Sequence, residues 1–166
     1  LDMTQRIAGF SGAIVDKSFM LRRTYEQFRE NIVIRQNRLR VLADLGWEVL
    51  DDANVETVAL TLQYPPTGKP IAGEAVFLRL TEYEDKEGAL RGLIDYTRHG
   101  KDSHDIFRVW VEEFCKFPNK AISYSVPTAI RRLFAEYPSL DPSLAAARIG
   151  VSPCNTELFY RYIWVV

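Results

Sequence analysis

Two runs of alternating residues constrain this chain more than any other feature. Val58, Leu60, Leu62 and Tyr64 alternate with Thr57, Ala59, Thr61 and Gln63, while Val76, Leu78 and Leu80 alternate with Phe77, Arg79 and Thr81. A period of two puts neighbouring side chains on opposite faces and identifies β-strands. Between the runs, Pro65-Pro66-Thr67-Gly68-Lys69-Pro70 cannot continue a ladder, because proline has no N–H to donate. The pair predicts an antiparallel hairpin in which Val58, Leu60, Leu62, Val76, Leu78 and Leu80 share one buried face. Trp47–Leu50, before the turn at Asp51-Asp52-Ala53-Asn54, adds a third strand and makes a β-meander.

Elsewhere the period is helical. Tyr25, Phe28, Ile32, Leu39 and Leu42 recur at mostly three- and four-residue steps, with Arg35 interrupting the stripe. Asp16 can cap the start, and Gly46 stands where a left-handed residue ends a helix. This predicts one long helix from Lys17 to Leu45. A second helix has Leu90, Leu93, Ile94 and Thr97 on one face and ends at His99-Gly100, although Gly88 and Gly92 weaken it. A third runs from Ser103 through Ile106, Phe107, Trp110, Phe114 and Phe117. Ala121–Val126 reads as a short strand, and Pro127 opens a helix through Arg131 and Phe134 that stops before Pro138.

These elements predict an α+β fold: a long N-terminal helix packed on a small antiparallel sheet (the β-meander plus a C-terminal strand), with additional helices. Residues 1–16 form an N-terminal arm and 17–166 a single globular domain. With 166 residues, 47% of them hydrophobic and 26% charged, the chain can bury its own core. The net charge of −1 supplies no global field toward nucleic acid or an anionic membrane. No apolar run approaches the length of a transmembrane helix. Cys115 and Cys154 form neither a disulfide framework nor a zinc motif, which fits an intracellular, reducing compartment. The sequence starts at Leu1, with Met3 its first methionine. Either a targeting segment has been removed, which would place the chain in an organelle, or the ends are trimmed and the chain is cytoplasmic.

Over about twenty residues from Asp141 the sequence resembles the first helix and turn of a DNA-binding helix-turn-helix, although the sixth position after Gly150, apolar in that pattern, is Thr156. Ala146 stands four residues before Gly150, Ile149 and Val151 flank that glycine, and Asp141-Pro142 starts the helix. The resemblance implies a recognition helix to follow, with Asn155, Thr156 and Arg161 as its DNA contacts. Yet Leu158–Val166 (LFYRYIWVV) is β-branched and aromatic almost throughout, which favours an extended, packed strand. From Lys120 onward there are five basic and three acidic residues, a weak footprint for phosphates. DNA binding is accordingly the second reading.

Other constellations are thin. His99, Asp102, His104 and Asp105 share one loop and could hold a metal, but His99 also suits a helix C-terminus and Asp102 or Ser103 a helix start. The expectation is no metal there. Thr67-Gly68-Lys69 lacks the upstream glycine of a phosphate loop, and Pro70 fills its Ser/Thr position. No motif assigns a catalytic residue or a cofactor, so an enzyme is the third reading. The segment 17–45 carries seven basic residues against three acidic, a surplus of +4, leaving −5 for the rest of the chain. Arginine suits ordered contacts at interfaces. The first reading is therefore a non-catalytic interaction or structural subunit of a larger assembly. It docks other protein subunits through Arg22, Arg29, Arg35, Arg38 and Arg40 and through Tyr162 and Trp164 of the tail.

Overall fold

A computed structural model describes residues 9–51, 54–66, 69–71 and 73–146. Its centre is a mixed five-stranded sheet: β1 (Gly9–Asp16), β2 (Leu39–Gly46), β3 (Thr57–Tyr64), β4 (Ala75–Arg79) and β5 (Ile106–Val109), in the order β1-β3-β2-β4-β5. β3 lies antiparallel to both β1 and β2, β4 runs parallel to β2, and β5 antiparallel to β4.

The long N-terminal helix is not formed. Lys17–Met20 and Arg23–Tyr25 are 3₁₀ turns, and a single α turn, α1 (Glu26–Phe28), opens into π-helical winding over Arg29–Arg35. Asn37, at φ 44°, then breaks the helix, a conformation that asparagine accepts more readily than most residues. The stripe Tyr25, Phe28, Ile32 is helical as its spacing predicts, but Leu39 and Leu42 belong to β2. That strand, LRVLADLG, is buried on both faces, so its apolar residues do not alternate and satisfy a helical period as well as an extended one. Asp16 does cap, its Oδ1 accepting from Ser18 N at 2.6 Å, and Gly46 is left-handed at φ 70°, where it ends a strand rather than a helix.

The hairpin is also corrected. β3 and β4 are antiparallel to each other, but β2 lies between them. The two runs face opposite sides. Val58, Leu60, Leu62 and Tyr64 pack with Leu42, Ala75 and Phe77 on one face, while Leu78, Leu80 and the half-buried Val76 pack with Ala43 and Leu45 on the other. The sheet is therefore mixed, not an antiparallel meander. Trp47–Leu50 and Ala121–Val126 are not strands, and the helix expected from Ser103 to Phe117 is β5 followed by a 3₁₀ segment, Val111–Lys116. The C-terminal strand expected over Leu158–Val166 lies outside the described residues.

Helix α2 (Lys86–Arg98) covers the second face through Leu93, with Leu90 and Ile94 beside it. Asp85 caps it by accepting from Gly88 N at 2.9 Å, and a Cβ at Gly88 would lie 2.2 Å from that carboxylate. The glycine that weakens the helix thus makes room for its cap. The first face is closed by Phe19, Met20, Val33 and Ile34 from the N-terminal turns and by Phe114, Phe117, Ile122 and Tyr124. Helix α3 (Thr128–Glu136), opened by Pro127 as expected, and the single turn α4 (Leu140–Ser143) follow.

Candidate functional site

The arginines of the 17–45 segment divide into two groups. Arg29 is fully buried and clasps two distant parts of the backbone. Its Nη1 donates to the carbonyls of Phe19 (2.6 Å) and Arg22 (2.8 Å), its Nη2 to Asn119 (2.6 Å), and its Nε to Asn119 and Lys120. Burial pulls its pKa down, against the nearby charge of Glu26, but a guanidinium keeps its proton. Arg38 is buried beneath Tyr64, its guanidinium carbon 4.5 Å from the ring centroid. Arg40 is half-buried and donates to the Asn37 carbonyl and side-chain oxygen. Arg22 and Arg35 are exposed, Arg35 pairing with Glu30 at 2.5 Å. The structure does not gather the five onto one helix face. Asn155, Thr156, Arg161, Tyr162 and Trp164 lie outside the described residues, as does the turn at Gly150.

The loop histidines are used locally. His99 ends α2, its Nδ1 2.7 Å from the Asp95 carbonyl oxygen. His104 Nε2 lies 3.0 Å from Oδ2 of Asp105, a buried carboxylate that also accepts from Arg79 (2.9 Å to Nε) and Tyr83 (2.7 Å). The bond to Asp105 raises the Tyr83 phenol above its ordinary range. Among the described residues, no cluster of three or more His, Cys, Asp or Glu could hold a metal ion.

A second buried polar centre carries no sequence signal. Asp44, 2% exposed, accepts from Tyr124 at 2.7 Å and pairs with Lys17 at 3.0 Å, while Lys17 also reaches Glu56 at 3.3 Å. Burial lowers the Lys17 pKa, but the hydrogen bond and charge of Asp44, joined by Glu56, raise it overall. Burial and the Asp44 bond push the Tyr124 phenol far up. These three residues are separated by 27 and 80 positions and form no motif.

Two surface features stand out. At the carboxyl ends of parallel β2 and β4 a groove of about 780 Å³ is lined by Trp47, Tyr83, Glu48, Glu82, Glu84 and Glu87. Lys86, the one basic residue lining it among the described residues, donates to the Trp47 carbonyl at 2.7 Å. An acidic groove of this kind repels phosphates. The other feature is α3. Arg131 is its one buried residue, held by the carbonyls of Val126 (2.8 Å) and Tyr124 (3.0 Å). The apolar stripe Ile130, Leu133, Phe134 and Tyr137 lies outward, between 44% and 65% exposed. With Phe117, Pro118 and Leu140 it lines a groove of about 720 Å³, and Phe134 rests on Phe117 at 5.0 Å. The i, i+3, i+4, i+7 spacing of the stripe is legible in the sequence; its outward orientation is not.

No family model matches the chain, and no curated protein matches it in sequence. No helix among the described residues is long and apolar enough to cross a membrane. In fold the chain is similar to one from a structure described as the "structural basis underlying complex assembly and conformational transition of the type I R-M system", with a TM-score of 0.50 and 14% identity. The match covers 77% of this chain and 32% of that one, so this chain spans about a third of that neighbour, and at this identity the likeness is one of fold.

Proposed function

We propose that this chain is a non-catalytic interaction module of a multi-subunit assembly, docking a protein partner on α3. One observation carries the reading. An amphipathic helix normally turns its apolar stripe to the core; α3 turns an arginine inward and presents Ile130, Leu133, Phe134 and Tyr137 to solvent. Contiguous exposed apolar surface of this kind marks protein interfaces. The neighbour in fold, described in terms of complex assembly, supports the same class of role. The exposed Arg22 and Arg35 supply the charged part of the docking surface in this proposal, while Arg29, Arg38 and Arg40 hold the scaffold. Tyr162 and Trp164 would extend its aromatic part.

The test is purification from the native host with stoichiometry read by native mass spectrometry. We expect Leu133→Glu with Tyr137→Ser to release the partner while the melting temperature shifts little, since both side chains are about half exposed or more. A clean monomer recovered from the host with an intact α3 would overturn the proposal. A second reading, contact with DNA, draws on the type I R-M neighbour. It requires duplex binding that weakens steeply with salt.

A further inference from the structure

From the geometry of β1 we infer that this edge pairs with β1 of a second copy, joining two sheets into one of ten strands about a twofold axis. The surface is separate from α3 and does not depend on that reading.

The two edges of the sheet differ in a way that physical chemistry makes meaningful. β5 has four residues and carries the exposed Arg108, a short and charged edge that resists further pairing. β1 has eight residues, GFSGAIVD, with no charge before Asp16, and beyond it no further strand pairs among the described residues. Phe10 is 67% exposed and Ile14 58%. Its outer N–H and C=O groups, unpaired by any strand among the described residues, form a template that no charge or proline within Gly9–Val15 blunts.

The occupant follows from register. A twofold axis normal to the sheet keeps each face continuous, so residues directly opposite must belong to the same face. Gly12 and Ile14 line the groove shared with Leu90 and Ile94 of α2, and alternation adds Phe10 to that side. Ser11, Ala13 and Val15 line the other side, with Phe19 and Phe28. Centring the axis on Gly12 sets Phe10 opposite Ile14 of the second copy, twice, and Ser11 opposite Ala13. Aromatic against β-branched is a favourable cross-strand pair. Centring it on Ala13 would set Phe10 opposite Asp16 instead. In the Gly12 register the two Asp16 carboxylates stand about 27 Å apart at the usual rise per residue, beyond the screening length in physiological salt. The edge is therefore self-complementary in shape, polarity and charge, and the open groove beside α2 receives the apolar pairs.

A strand-on-strand interface falls at the low end of the stable size range, so the expected dissociation constant is of micromolar order. The test is sedimentation equilibrium of the full chain from about 1 to about 300 µM, spanning that range. The expected result is a monomer–dimer equilibrium that Phe10→Lys with Ile14→Lys abolishes and Leu133→Glu leaves unchanged. Gly12→Cys, with Cys115 and Cys154 replaced by serine, should yield a disulfide-linked dimer under mild oxidation. A monomer throughout that range overturns the inference, and so does a dimer that survives the lysines or that Gly12→Cys fails to cross-link.

Discussion

Replacing Arg29 with alanine should destabilise the folded chain by about 3–5 kcal/mol, the sum expected when several backbone carbonyls lose one charged donor. Its guanidinium joins Phe19 and Arg22 to Asn119 and Lys120, which follow them by 97 to 101 positions in the chain. Truncation leaves four carbonyl oxygens without this donor, each worth about 1–3 kcal/mol where water cannot replace it. Lysine should rescue little, because an ammonium cannot present donors in the planar fork that reaches both segments. Chemical denaturation of the two variants checks the point. A loss below about 1 kcal/mol for alanine would mean that the clasp is not holding the segments together.

This clasp shows where the sequence stops being readable. Seven basic residues between Lys17 and Arg40 look alike along the chain, yet they have three fates: buried bond-maker, ring-stacked cover and solvated charge. Which fate applies depends on Asn119 and Lys120, whose left-handed φ values of 52° and 55° aim their carbonyls at Arg29. No local pattern encodes that meeting.

The fold was legible where one face of an element meets water. α2 keeps one apolar stripe and one charged face, and its spacing and caps locate it. β3 alternates because its second face is only half covered. β2 does not, since α2 closes one side and the N-terminal turns with Phe114, Ile122 and Tyr124 the other, and the run LRVLADLG then fits a helix as well as a strand. Read as helix, that run takes away the central strand, and the two flanking strands then look like neighbours. For α3 the same periodicity was visible but its sense was not, because an apolar stripe reads identically whether it packs inward or awaits a partner.

The Asp44 centre leads to the second large effect. Asp44→Ala should cost about 3–5 kcal/mol, since it takes from the Lys17 ammonium the nearer of its two carboxylates, Glu56 being the other, and leaves the Tyr124 hydroxyl without its acceptor. The same centre sets an alkaline limit. Lys17 and Tyr124 both have pKa values raised by the fold, Tyr124 chiefly through burial and Lys17 through Asp44 despite burial. Each binds its proton more tightly folded than unfolded, so each contributes stability in full below its unfolded pKa, about 10 for both groups. As pH climbs past that value, the unfolded chain sheds protons that the folded chain must keep, and the contribution declines. Melting temperature should therefore hold level toward pH 9 and fall beyond about pH 10. Tyr124→Phe should lower it near neutrality, by the loss of one buried hydrogen bond worth about 1–3 kcal/mol, while making the alkaline fall shallower. An alkaline limb as steep in Tyr124→Phe as in the parent would mean that the phenol's proton is not what the folded chain retains.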